Sequence, residues 1–327
     1  MDGIERIPGP PRKLRLLLLL TSTAGGAGQH AYQLASMLPR DEFDITVAYG
    51  PGYPLDESLQ MLPDVMNHEL PLSRELAPLQ NLSVIRDLRD YMLQKRFDIV
   101  CMECSVAGFV GRWASWLARV PVRVFVLQAF ASHAHQPPAS RRAFWFMERM
   151  VRPMTTHFVA VSKAMRDFGI EQRLVPASRV SVIHNSVSMA AVSDVPRDTV
   201  VRELGFPADA QVVGTLARFE PQKGLEYFLE AAKLVKDARP NVRFLVVGDG
   251  PLRPTLEKQR RHLGLDETVH FAGWRQDATR VIRAMDIFCL SSRWESFGMA
   301  LAEAMANGLP TVATAVDGVP EVVEDGV

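Results

Sequence analysis

Two carboxylates bracket the segment Glu295-Ser-Phe-Gly-Met-Ala-Leu-Ala-Glu303, with seven residues between them. The segment follows an apolar run at Ile287–Leu290 that reads as a buried strand, and it opens a helical pattern from Met299 to Asn307. At 3.6 residues per turn, carboxylates this far apart are not i,i+4 surface partners. Glu295 falls in the loop before the helix, and Glu303 about two turns along it. Amides at Phe297, Gly298 and Met299 would then mark a helix N-terminus, where free N–H groups favour an anion. A carboxylate beside them suits an uncharged or partly positive group, such as sugar hydroxyls or a developing oxocarbenium ion. Phosphate on the amides and sugar on the carboxylate together describe a nucleotide-sugar site.

Further residues fit that chemistry. Arg218 and Lys223 flank Phe-Glu-Pro-Gln just after the apolar run Val212–Leu216. Two cations on one strand-exit loop can neutralise a diphosphate without a metal, arginine as a planar fork and lysine as a point charge. Gly248-Asp249-Gly250-Pro251 leaves the next strand, and Pro251 suits the first turn of a helix. That stretch reads equally as a plain turn or as a ligand contact at Gly250. Gly273-Trp274-Arg275 leaves the strand after it, where backbone groups and Arg275 could meet a nucleobase.

In the first half, Gly25-Gly26-Ala27-Gly28-Gln29-His30-Ala31 satisfies G-x-G-x-x-A from residue 26. An NAD site also wants an acid near the end of the second strand, and Tyr49-Gly50 stands there instead. The favoured reading is a glycine turn that lets a ligand approach Gly26, with a tight structural turn and NAD binding as alternatives. His133 and His135 follow the strand Val122–Leu127, and His133 is a candidate contact for acceptor or sugar. An H-x-H pair without nearby acids argues poorly for a metal. Cys101-Met-Glu-Cys104 lacks the second pair that would complete a zinc site, so it reads as a strand end and no metal is expected. Residues 141–152 mix arginines with large apolar side chains at near-helical spacing. They read as an amphipathic helix with its apolar face in the core, or as a surface for an anionic membrane or a lipid-borne acceptor.

These residues need a scaffold, and the apolar pattern supplies it. Strands are expected at Leu14–Leu20, Asp44–Ala48, Ile99–Met102, Val122–Leu127, His157–Val161 and Val180–Ile183. A second series runs Val212–Leu216, Arg243–Val247, Val269–Phe271, Ile287–Leu290 and Thr311–Ala313. Helical patterns lie between most of them, as at Leu82–Gln94, Leu225–Ala238 and Leu252–His262. Continuous apolar strands separated by helices predict parallel sheets covered on both faces. The fold class is therefore α/β, with two Rossmann-like, doubly wound domains facing across a cleft. The linker is placed near 186–197, giving domains 1–190 and 191–327, the second incomplete at its C-terminus.

Composition narrows the setting. Lys plus Arg and Asp plus Glu number 37 each, which gives no support for a nucleic-acid partner. The three cysteines suit a reducing, cytoplasmic compartment. Leu14–Leu20 follows basic residues as a signal peptide does, but it is short and runs into Thr-Ser-Thr, so a first buried strand is the better reading. No segment reaches the ~18–20 apolar residues needed to cross a bilayer.

Taken together, these motifs resemble a retaining GT-B glycosyltransferase of the GT4 type. The resemblance spans nearly the whole chain and is strongest in GTLARFEPQKG, FLVVGDGP, VHFAGW, SSRWESFGMALAEAMANGLPTVAT and GVPEVV. It implies a UDP- or GDP-sugar donor, a glycan or lipid-linked acceptor, retained anomeric configuration and no bound metal or other cofactor. By the same resemblance Glu295 contacts the donor sugar, Glu303 holds the ribose, and Arg218 and Lys223 bind the diphosphate with the amides of Phe297, Gly298 and Met299. The first domain takes the acceptor, with Gly26 close to donor phosphate and acceptor, and the protein works in the cytoplasm or at the inner membrane face. Two departures stand out. Gln128-Ala129 occupies the place where members carry a histidine, so His133 or His135 substitutes or the site is altered, which leaves a non-catalytic binding subunit as the alternative. Asn185-Ser-Val-Ser188 replaces the usual N-G-V-D, and a C-terminal helix that returns to the first domain is expected to be missing.

Overall fold

Leucines dominate Leu14–Leu19, the first strand (β1), and its last four residues are buried. Such a strand must lie inside a sheet covered on both faces, and parallel pairing is what βαβ crossovers impose. A computed structural model describes residues 12–23, 26–50, 59, 61–72, 78–103, 105–129, 138–187 and 192–326. The chain divides into two compact units, Met1–His184 and Asn185–Val327. His133, His135 and Cys104 lie outside the described residues, as do Gly25 and Ser188.

In the first unit β1 joins β2 (Phe43–Tyr49), β3 (Val65–Glu69), β4 (Ile99–Glu103), β5 (Val122–Leu127), β6 (His157–Ala160) and β7 (Val180–Val182). All pair in parallel, in the order β3-β2-β1-β4-β5-β6-β7. The winding reverses between β1 and β4, and in open α/β sheets ligands bind at the carboxyl ends of strands at such a switch point. The strand β3 is absent from the sequence-based expectation. It is an edge strand with the segment Val-Met-Asn-His-Glu and no fully buried residue, so it has no apolar signature to read.

The second unit holds β8 (Gln211–Leu216), β9 (Val242–Val247), β10 (Val269–Gly273), β11 (Ile287–Leu290) and β12 (Thr311–Ala313). Their order is β10-β9-β8-β11-β12, again parallel, with the switch point between β8 and β11. The alternation of β9 shows how the core is built. Val242, Phe244 and Val246 pack with Leu225, Phe228 and Leu229 of the helix Leu225–Ala238 and with Leu256 of Arg253–His262. Leu245 and Val247 point the other way, to Val200, Val201, Ile282 and Leu301. Each strand side chain alternates face, so a doubly covered sheet needs the unbroken apolar run seen in the sequence.

Glycine 28 shows why the first-unit fingerprint does not require a dinucleotide. A Cβ there would stand 1.6 Å from the carbonyl oxygen of Thr23, so helix and preceding turn touch only because the side chain is absent. The helix Pro138–Val151 departs from the core-facing reading. Val151 is its one buried residue, while Arg141, Arg142, Arg149, Phe146 and Met150 are exposed. Its polar anchors explain the placement: Trp145 Nε1 donates to the Gln172 carbonyl (2.9 Å), and Glu148 accepts from the buried Arg112 (2.7 Å). No helix among the described residues is long and apolar enough to cross a membrane.

Candidate active site

The loops that leave the second sheet at its carboxyl edge are laced together by their backbones. Phe219 N donates to Asp249 O and Gly248 N to Gly273 O, both at 2.8 Å. Arg293 N donates to Gln222 O (2.8 Å), and Ser291 Oγ to Lys223 O (2.9 Å). The exits of β8 and β11, the two strands at the switch point, are thereby held against each other.

That lacing brings Lys223 to Glu295. Lys223 Nζ lies 2.5 Å from Glu295 Oε2, and the side chains are 19% and 10% exposed. Ser292 Oγ donates to the same carboxylate oxygen at 3.2 Å. The backbone of Glu295 is gripped from the far side: its N–H donates to Asp317 Oδ2, and its carbonyl accepts from Gly318 N–H, both at 3.0 Å. A carboxylate held this way is oriented and shielded, which is what a group facing sugar hydroxyls or a developing cation requires. An ammonium has three donors, and one spent on Glu295 leaves others for a phosphate.

The remaining sequence-predicted residues of the second unit differ in what they contact. Arg218 sits on the β8 exit loop, is exposed, and pairs with Glu220 at 3.0 Å rather than with Glu295. Gly250 is fixed by packing: at φ +156°, an added Cβ would meet the Phe219 backbone at 2.8 Å. Its N–H is taken by the Asp249 carboxylate at 2.7 Å, so the turn has its own structural reason. The guanidinium of Arg275 forms a two-pronged pair with Asp277 at 2.7 and 2.8 Å. That hydrogen bond raises the Arg275 pKa and lowers that of Asp277. Phe297 is buried, and Gly298, at φ +96°, precedes the helix Met299–Ala306 without a side-chain cap. Glu303 is the fifth residue of that helix and half-buried, so it stands about one turn in, where the spacing argument expected two. The sequence reading overlooked Ser292, Asp317 and Gln222. Asp317-Gly318 carried a legible turn signal, and Asp317 does adopt a left-handed φ of 41°.

The first unit has a polar cluster at its own switch point. Glu103, the last residue of β4, is 1% exposed. Its Oε1 lies 2.7 Å from His30 Nδ1, and its Oε2 accepts from Gln128 Nε2 at 3.1 Å. Burial alone would disfavour a charged His30. The hydrogen bond and charge of Glu103 outweigh it, so the His30 pKa lies above the ordinary histidine value. Gln128, noted in sequence as standing where a histidine is usual, thus has a defined partner. Glu103 was hidden inside an apparent C-x-x-C. Among the described residues no group of three or more His, Cys, Asp or Glu side chains is arranged to hold a metal ion.

Comparison with known proteins agrees with this geometry. Residues 25–186 match the glycosyl transferase 4-like domain, and residues 196–327 match the glycosyl transferases group 1 family. The chain is 27% identical over 299 residues to the UDP-Gal:alpha-D-GlcNAc-diphosphoundecaprenol alpha-1,3-galactosyltransferase of Escherichia coli, covering 90% of this chain and 77% of that one. It is 35% identical over 147 residues to the lipopolysaccharide core biosynthesis glycosyltransferase LpsE of Rhizobium meliloti, covering 45% and 41%. Among solved structures, Anabaena Alr3699/HepE in complex with UDP and glucose superposes with a TM-score of 0.82 at 25% identity, over 97% of this chain and 84% of that one. Two doubly wound parallel units, a lysine–carboxylate pair at the second switch point and these matches give one identity: the chain is a glycosyltransferase of GT-B fold, related to the GT4-like family, that transfers sugar from a nucleoside-diphosphate sugar to an acceptor.

Proposed function

We propose that the enzyme is a retaining, metal-independent hexosyltransferase that uses a UDP-sugar and a lipid-linked glycan acceptor. The observation that carries this reading is the contact between Lys223 and Glu295 across the β8/β11 switch point. On this reading Glu295 meets the donor sugar and Glu303 the ribose. Lys223 and Arg218 take the diphosphate with the amides of Phe297, Gly298 and Met299, while Arg275 and the Gly250 turn flank the nucleotide. As the sugar–phosphate bond breaks, charge grows on the diphosphate, and cations already fixed there lower the barrier. Uridine is preferred to guanosine because the Anabaena structure holds UDP and the E. coli relative uses UDP-Gal.

The first domain, residues 1–190, takes the acceptor near Gly26, and residues 191–327 take the donor. The exposed basic and apolar face of Pro138–Val151 supports peripheral contact with an anionic membrane, which is where a lipid-linked acceptor is met. The enzyme then works in the cytoplasm at the inner membrane face. A thermal-shift screen against UDP- and GDP-sugars, followed by a transfer assay with the stabilising donor, tests the reading. A rise in melting temperature with UDP-glucose or UDP-galactose and not with GDP-sugars is expected. No shift with any nucleotide sugar and no transfer would refute it.

A further inference from the structure

The amino edge of the first sheet, opposite the carboxyl end where Glu103 closes β4, holds a crevice of about 410 Å³. That volume falls within the range of small-molecule sites, roughly 300–1,000 Å³. The crevice lies beneath the starts of β1, β4 and β5, between the ends of the helices Pro78–Lys95 and Ser105–Leu117. Four arginines line it, Arg12, Arg15, Arg96 and Arg119, with one acid, Asp98. The acid is already spent. Asp98 accepts from Arg12 Nη1 and Nη2 at 3.1 and 2.6 Å and from the Arg15 backbone N–H at 2.8 Å. Arg15 Nη1 donates to the Lys95 carbonyl at 2.9 Å, which leaves the rest of its guanidinium fork. Arg96 and Arg119 stand just past the two helix ends, with left-handed φ of 54° and 55°. Their guanidiniums form no hydrogen bond or ion pair with another described residue.

The charge balance favours an anion. Each helix C-terminus brings about half a negative charge. With Asp98 these ends offset two of the four arginines, so about two positive charges remain. They stand over an apolar floor in which Met92, Phe97 and Val120 are buried. A cleft lined by one sign of charge on low-dielectric walls concentrates its field on a counter-ion. We infer that this crevice binds a phosphate group, held by Arg15, Arg96 and Arg119. A guanidinium presents two parallel N–H donors that match phosphate oxygens, a geometry lysine lacks. Leu14, Leu93, Leu117 and Val122, within the lining or next to it in sequence, are exposed and give the mouth an apolar rim. The phosphate therefore has two sources, a soluble ester or the headgroup of an anionic lipid. The site stands on the first unit alone and does not depend on the donor reading of the second.

Two binding measurements separate the sources. Calorimetry with pyrophosphate, run with saturating UDP so that a donor site is filled, reads the soluble one. Sedimentation with phosphatidylglycerol vesicles, against phosphatidylcholine vesicles, reads the lipid. Arg96→Glu with Arg119→Glu is expected to weaken whichever binding the wild type shows by about tenfold or more, because two charge-assisted contacts become repulsions. Arg96→Gln with Arg119→Gln removes the charges without reversing them and should act in the same direction, with thermal melting recorded to exclude misfolding. Arg86→Glu with Arg89→Glu makes the same change in charge on the helix Pro78–Lys95 but outside the crevice, where each arginine pairs with the aspartate next to it. That control is expected to stay within about twofold of wild type, since screened charges at a distance contribute little. Pyrophosphate binding alone assigns a soluble phosphate and vesicle binding alone a lipid headgroup, and either supports the site. No binding of either by the wild type, crevice variants that bind as the wild type does, or an equal loss in the control overturns it.

Discussion

At the scale of single residues, electrostatics decides which side chains matter. Lys223 and Glu295 share one hydrogen bond, so removing either leaves a shielded charge without its partner. Lys223→Ala should lower transfer by roughly 10²–10³, by analogy with a lost oxyanion donor, with the melting temperature recorded to exclude unfolding. Arg218→Ala should cost less, because Arg218 is exposed and, among the described residues, pairs with Glu220. Away from the site, Arg112 is fully buried and bonds Glu148 and the Gly108 carbonyl, while its guanidinium lies 4.0 Å from the Phe125 ring centre. Glu148→Ala should therefore destabilise the protein by about 3 kcal/mol in urea unfolding, since a buried cation loses its counter-charge. His30 contributes with a definite sign. Its folded pKa is raised, so its stabilisation is complete below the unfolded value near 6.5 and disappears as pH rises through the folded pKa. The stability difference between wild type and His30→Gln should be larger at about pH 6 than at about pH 9.

At the scale of elements, close backbone approach and exposed faces carry the consequences. Gly28→Ala places a methyl against the Thr23 carbonyl. The helix Gly26–Met37 must then shift, and a loss of about 1–3 kcal/mol by chemical denaturation is expected. The helix Pro138–Val151 behaves differently, because Arg141, Arg142, Phe146 and Met150 are exposed and only Val151 is buried. Reversing two charges with Arg141→Glu and Arg142→Glu should leave stability nearly unchanged. Binding to phosphatidylglycerol vesicles should drop by at least tenfold, at about 1 kcal/mol for each basic residue near an anionic surface. Equal sedimentation of the variant and wild type would exclude a membrane role for this helix. The strand β3 belongs to this scale too: it is held by backbone pairing to β2 from Ile45↔Val65 to Tyr49↔Glu69, not by an apolar face.

At the scale of the whole molecule, each unit has its own sheet and the second has cores on both sheet faces. A ligand that binds one unit stabilises that unit by mass action. UDP at about 100 times its dissociation constant should add about 2.7 kcal/mol to the second unit. Trp274 and Trp294 lie in that unit and Trp113, Trp116 and Trp145 in the first, so single-tryptophan variants can follow each transition. A UDP-induced shift seen first in the Trp145 signal would contradict the assignment of donor binding to residues 191–327.

The sequence alone determined the α/β class, eleven of the strands by approximate position, and the candidate carboxylates and cations on strand-exit loops. These properties are local: a strand buried on both faces needs a continuous apolar run, and a helix needs its period, so each leaves a mark in adjacent residues. It also placed Lys223 and Glu295 on loops of one sheet. Only the tertiary structure decided that they touch across 72 positions, that Ser292 and Asp317 hold Glu295 in place, and that Arg218 and Arg275 have acidic partners of their own. It alone joined His30, Glu103 and Gln128, which lie 73 and 25 positions apart along the chain. Strand order sets which exit loops become neighbours, and that order follows from the packing of whole βαβ units, to which no short stretch of residues is sensitive.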